Sequence, residues 1–122
     1  MPTEVLRAPV FDPTAIEKLR TVAGDQGSTF VAEMAELFLE ETRKLLPELQ
    51  AGCDGQDWKA VSRLAHSLKS SAATLGAMRL SAACRILELD TSNGEPKSDA
   101  AGLVAEVMRY FEEAEPVLKN LQ

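Results

Sequence analysis

A chain of 122 residues with a net charge of −6 has room for one hydrophobic core and not for two. The acidic balance argues against nucleic acid as a partner, because such binding rests on neutralising phosphates with Lys and Arg, and equally against an anionic membrane surface. No apolar run approaches the ~18 residues of a membrane span. The segment Met1-Pro2-Thr3-Glu4-Val5-Leu6 lacks the basic start and apolar centre of a signal peptide. Ala, Leu, Glu and Val dominate, most of them good helix formers, and no stretch alternates apolar and polar residues as a half-buried strand does. The expectation is an all-α protein. Cys53 and Cys84 have no CxxC spacing. Cys84 falls within a helical apolar pattern and reads as a small core residue, which fits a reducing cytoplasm.

In chain order, residues 1–10 read as a flexible N-terminal arm and residues 11–122 as the domain. The first predicted helix opens at Asp12-Pro13, an N-cap acceptor followed by Pro at the first helical position. Ile16, Leu19 and Val22 form its apolar stripe, and Gly24 ends it. The second starts near Ser28, with Phe30, Met34, Leu37, Phe38, Leu45 and Leu49 on one face. Pro47 is expected to kink it or end its regular part. Gly52 to Gly55 make a turn, and Asp57 caps a third helix that runs to Leu75 and stops at Gly76. A fourth follows almost at once, with Leu80, Ala83, Cys84 and Leu87 at i, i+3, i+4 and i+7. The run Thr91-Ser92-Asn93-Gly94-Glu95-Pro96 is a loop. A fifth helix begins at Ser98 or Asp99 and carries Leu103, Val107, Tyr110, Ala114, Val117 and Leu121, with Pro116 expected to kink or fray its end. Four amphipathic helices joined by short turns predict an antiparallel up-down four-helix bundle, with the short additional N-terminal helix covering one end.

The third helix holds the only histidine, His66. At about 100° per residue, Trp58, Val61, Leu64, Ala65, Leu68, Ala72 and Leu75 fall in one arc, and His66 lies roughly 140° from its centre. It therefore faces away from the core. Ser62, Ser70 and Ala73 flank it at i−4, i+4 and i+7, and all are small. Lys69 stands at i+3, a cation on a flexible stem within reach of anything bound to the ring. An exposed histidine on a helix is often no more than a polar surface residue, and position alone does not decide its role. There is no G-x-x-x-x-G-K-[ST] loop and no G-x-G-x-x-G, hence no sign of a nucleotide site. One histidine and two separated cysteines make a zinc site of the usual ligands unexpected.

The run Ala65-His66-Ser67-Leu68-Lys69-Ser70-Ser71-Ala72-Ala73-Thr74-Leu75-Gly76-Ala77, followed by Leu80 and Cys84, resembles the signature of the histidine phosphotransfer (HPt) domain of two-component phosphorelays. That signature is H-x-L-K-G-x-x-x-x-x-G, with a Leu four residues after the second Gly. Phe11-Asp12-Pro13, Phe38-Leu39-Glu40-Glu41 and Asp57-Trp58 are similar to bacterial members, so the likeness covers Phe11 to Leu121. It implies that His66 is the phosphoacceptor, taking the group from a receiver-domain aspartate and passing it to another receiver. It implies that Lys69 stabilises the phosphoryl oxygens, that Leu68 holds the helix in the core, and that Gly76 lets the third helix stop and the fourth pack close. Ser62, Arg63, Ser67, Ser70 and Ala73 would flank the site and meet the docking receiver. Ser70 departs from the pattern, standing where the family has Gly. Many relatives carry a polar residue on the fourth helix that supports the site. Glu88 stands at the matching position and receives no binding role here, since an acid aimed at the site repels a phosphoryl group.

The resemblance implies a phosphoryl carrier with no ATP site of its own, not an enzyme. No cofactor is expected on this chain, and the Mg²⁺ used in transfer belongs to the partner receiver. The expected partners are receiver domains of response regulators or of a hybrid histidine kinase, with no nucleic acid and no direct membrane contact. The chain is expected to be a cytoplasmic monomer, or the cytoplasmic domain of a membrane-bound hybrid kinase. Two alternatives stand beside this: a helical interaction module without phosphotransfer, and the C-terminal HPt domain of a hybrid sensor kinase.

Overall fold

The computed structural model describes residues 3–121. Six helices account for most of them: α1 (Thr3–Arg7), α2 (Pro13–Ala23), α3 (Gly27–Asp54), α4 (Trp58–Thr74), α5 (Met78–Thr91) and α6 (Ala100–Lys119). A single 3-10 turn, Gly24–Gln26, joins α2 to α3. The four long helices close a ring in which α3 packs on α4, α4 on α5, α5 on α6 and α6 on α3. This is the four-helix bundle that the apolar periodicity predicts. Its starts are chemically marked. The carboxylates of Asp12, Asp57 and Asp99 each accept from a backbone N–H in the first turn of α2, α4 and α6, satisfying donors that the helix itself leaves open.

The core sits between the four long helices. Leu49, Val61, Ala65, Leu68, Leu75, Leu80, Cys84, Leu87, Val104, Val107 and Leu118 are all fully buried. Phe38 of α3 meets Phe111 of α6 with tilted rings 6.5 Å apart, an arrangement aromatic pairs favour. Cys53 and Cys84 are buried free thiols, and burial pushes the Cys84 thiol well above its ordinary range. The stripes predicted for the third and fourth helices match the buried faces of α4 and α5, except that Trp58 is half-buried.

Elsewhere the structure departs from the sequence reading. Residues 3–10, expected as a loose arm, form α1 and a connector lying on α5. Val5 is buried, and Arg79 of α5 reaches back through its backbone N–H to Pro9 O at 2.9 Å and through Nε to Ala8 O at 3.0 Å. One apolar side chain and three backbone-directed hydrogen bonds from Arg79 suffice to dock so short a segment. Met1 and Pro2 lie outside the described residues. Val22 is exposed, because α2 packs only on α3 and the end of α4 and Ile16 and Leu19 satisfy that contact. The buried face of α3 is Val31, Ala35, Phe38, Leu39, Thr42, Leu49 and Cys53. Leu37 stands off it, 52% exposed.

Neither internal proline ends its helix. α3 continues from Pro47 to Asp54, and α6 from Pro116 to Lys119. Pro47 and Pro116 are both exposed, so the backbone carbonyl that each deprives of a donor is positioned to turn to water. α2 covers one end of the bundle, where Asp12 N–H donates to Gly76 O at 2.7 Å in the turn between α4 and α5. That turn fixes the register of the α4–α5 hairpin and, with it, the surroundings of His66.

Candidate functional site

His66 projects from the outer face of α4, its side chain 62% exposed, while Ala65 and Leu68 beside it are buried. The helical rotation derived from the sequence thus places the ring correctly. The residue that organises the ring comes from the neighbouring helix. Glu88 of α5 lies with Oε2 2.7 Å from His66 Nδ1, and its other oxygen, Oε1, accepts from Lys69 Nζ at 2.6 Å. One carboxylate therefore spans the two residues that the sequence motif singles out. The side chains of Lys69 and Glu88 are 28% and 20% exposed, so their pairing is half-sheltered, while the imidazole stands out into solvent.

The carboxyl of Glu88 titrates below its ordinary value of 4.5, chiefly because Lys69 donates to it; the hydrogen bond with His66 acts in the same direction, and partial burial opposes both. It is a carboxylate at neutral pH. A carboxylate can only accept. The neutral imidazole then carries its proton on Nδ1, and Nε2 is left with a free lone pair at the outer edge of the ring. This is the arrangement in which an acidic partner sets the tautomer and orientation of a histidine.

A second layer holds these parts. Ser81 of α5, about two turns before Glu88, donates from Oγ to Lys69 O at 2.9 Å, tying the two helices beside the Lys69–Glu88 pair. Ser62 Oγ approaches Glu88 O at 3.5 Å, a weak contact from the turn before His66. Of the predicted flanking residues, Ser62 alone is joined to Glu88. Arg63, Ser67 and Ser70 are exposed on α4, and Ala73 is half-buried. The Ser67 and Ser70 carbonyls accept from Ser71 and Thr74, one turn on. On the side of α4 away from Glu88, Ser67, Ser71 and Thr74 form one wall of a groove of about 500 Å³. Met34, Leu37 and Leu45 of α3 form the other, with Glu41, Lys44 and Glu48 also at its edge. Leu68 lies in the core and Gly76 in the hairpin turn, as their motif positions imply.

Glu88 is the residue that sequence reasoning set aside, on the ground that an acid repels phosphoryl. Its place was nevertheless legible. Residues equally distant from a tight antiparallel turn face one another. His66 stands ten residues before Gly76 and Glu88 twelve after it. Glu88 also follows Cys84 by one turn, at the edge of the buried stripe of α5 rather than opposite it.

The depressed titration of Glu88 gives a pH prediction with a definite sign. In the unfolded chain the carboxyl takes up a proton at higher pH than in the folded one. The stability it contributes is therefore complete above its unfolded value and is lost as pH falls towards its folded one. The difference in Tm between the native protein and Glu88→Gln, measured by circular dichroism, is expected to shrink as pH is lowered from about 5 to 3. A difference that stays constant over that range rules out the assignment of the ion pair as a stabilising contact.

Comparison with known proteins agrees with the helical bundle. The family model for the Hpt domain matches residues 33–121, which takes in α4, α5, α6 and most of α3. The crystal structure of histidine-containing phosphotransfer protein B from Pseudomonas aeruginosa PAO1 superposes with a TM-score of 0.80 at 26% identity, covering 93% of this chain and 94% of that one. Histidine-containing phosphotransfer protein 1 of Arabidopsis thaliana is 30% identical over 69 residues, which is 55% of this chain and only 45% of the relative. The chain thus matches less than half the length of that plant protein. A motif in register with its helices, a family model spanning most of the chain and a superposable bundle converge: this chain belongs to the Hpt domain family.

Proposed function

We propose that this chain is a phosphoryl carrier of a multistep two-component relay, taking the group on His66 Nε2 from the aspartyl phosphate of one receiver domain and giving it to the aspartate of another. The observation that carries this is the Nδ1–Glu88 contact, which in the neutral ring holds the proton on Nδ1 and turns the Nε2 lone pair to the exposed edge. The Nε2 lone pair attacks phosphorus, the N–P bond forms, and the P–O bond to the aspartate breaks with its electron pair staying on the departing carboxylate. Lys69, one turn along, is placed to neutralise charge on the phosphoryl oxygens, the usual service of a fixed cation in such a transfer. In this reading Ser62, Arg63, Ser67, Ser70 and Ala73 meet the receiver, and the Mg²⁺ that balances phosphoryl charge sits on that partner. The half-apolar groove between α3 and α4, with Leu37 exposed in it, supports docking of a receiver beside His66. A modest apolar patch within a polar rim suits a transient contact. The carrier acts as a monomer on the cytoplasmic side, in a bacterial relay.

The test is incubation with a receiver domain carrying labelled aspartyl phosphate. Label is expected to move to this chain in a form that acid destroys and base leaves intact, as phosphohistidine behaves. Label that survives acid places phosphate on a serine oxygen and contradicts the proposal.

A further inference from the structure

The charges at the site do not suit a store of phosphoryl. Before transfer Lys69 and Glu88 are already paired at 2.6 Å. A phosphoryl group on Nε2 adds about two negative charges at pH 7, and Lys69 is its nearest partner. Side chains on a helix lean towards its N-terminus, so Lys69 at i+3 leans towards His66, whereas Arg63 at i−3 leans away. Lys69 must therefore be drawn off Glu88, wholly or in part, whenever His66 is loaded. Glu88 acts on the ring as well. Attack by Nε2 leaves the ring with its Nδ1 proton and a positive charge, and a carboxylate at 2.7 Å from Nδ1 favours that cationic form. A cationic imidazole is the better leaving group when the N–P bond breaks and its electron pair returns to Nε2.

We propose that Glu88 is a positioning residue that keeps the phosphoryl group on His66 short-lived and readily passed on, by competing with it for Lys69 and by holding the Nδ1 proton. The proposal rests on the carrier function above and adds which way the site is biased: towards delivery. An amide at the same position keeps an acceptor for Nδ1–H but gives up the charge and most of the hold on Lys69.

The test uses phosphoramidate, which loads a histidine without any receiver as its P–N bond breaks and ammonia leaves. Lifetimes of the loaded native protein and of loaded Glu88→Gln are compared in buffer at neutral pH. The variant is expected to keep its phosphoryl group about three- to five-fold longer, the size expected when a part-exposed ion pair stops competing. In a Lys69→Met background, where nothing is competed for, the same replacement is expected to gain clearly less. Equal lifetimes, or a shorter one in Glu88→Gln, overturn the proposal while leaving the carrier function standing. A full gain that persists without Lys69 overturns the competition. No acid-labile label on the native protein overturns the carrier function and this proposal together.

Discussion

Replacing His66 by Gln is expected to reduce phosphoryl uptake from a phosphorylated receiver to background, a loss of at least 10³-fold on the order expected when a reacting nucleophile is removed. The fold is expected to be untouched. His66 is exposed on the outer face of α4 and contributes nothing to the core, and surface substitutions of this kind usually fall within about 0.5 kcal/mol. Gln is a good helix former, and its amide N–H₂ can still donate to Glu88. Ser67, Ser70 and Ser71 remain as hydroxyl nucleophiles on the same exposed surface. Label persisting on the variant identifies them, and not the imidazole, as the acceptor. The measurement is the rate of label transfer with thermal unfolding as control: a variant with native Tm and no label is the expected pair of results.

The largest effect on stability is expected at Gly76. It sits in the hairpin turn at φ +81°, where an L side chain is strained, and a Cβ added there would lie 2.5 Å from the Asp12 carbonyl oxygen. That oxygen belongs to backbone anchored by the Asp12 N–H to Gly76 O bond, so it has little freedom to give way. Gly94 in the loop before α6 has a similar φ of +85° but nothing within 4 Å of an added Cβ. The pair separates two costs. Gly94→Ala carries the conformational term alone, about 1 kcal/mol. Gly76→Ala adds a backbone collision and is expected to cost about 3 kcal/mol or more in total, with Tm falling by on the order of 10 °C. It is also expected to slow phosphoryl transfer, since the same turn sets the register that brings Glu88 opposite His66. Equal costs at the two glycines contradict the close approach of α2 to the hairpin.

The α4–α5 hairpin was the most legible part of the sequence. Its apolar residues recur at unbroken helical spacing, Asp57 and Gly76 mark where α4 starts and stops, and a helix packed on several neighbours buries a stripe that rotation alone locates. The exposure of His66 follows from the same arithmetic. α3 was harder to read. It is 28 residues long and apolar over more of its circumference than it buries, so Leu37 and Phe38 look alike in sequence, yet only Phe38 finds a partner in α6. The N-terminal segment failed for a related reason. Five residues of helix carry no periodicity, and its docking depends on Arg79, more than seventy residues away. Both prolines are carried inside their helices because of where they stand: at an exposed position the freed carbonyl keeps access to water. The charge of Glu88 looks unsuited to the site only against the phosphoryl group alone; Lys69 balances it, and Nδ1 needs an acceptor.

Phosphoryl transfer is expected to end on a single atom, Nε2 of His66, and NMR can report which ring nitrogen bears phosphorus. The protein labelled with ¹⁵N in its histidine ring is loaded from a phosphorylated receiver, and coupling between phosphorus and the two ring nitrogens is recorded by NMR. The predicted result is coupling to Nε2, with Nδ1 remaining on the side of Glu88. Phosphorus coupled to Nδ1, or to neither nitrogen while label stays on the chain, rules out Nε2 as the acceptor.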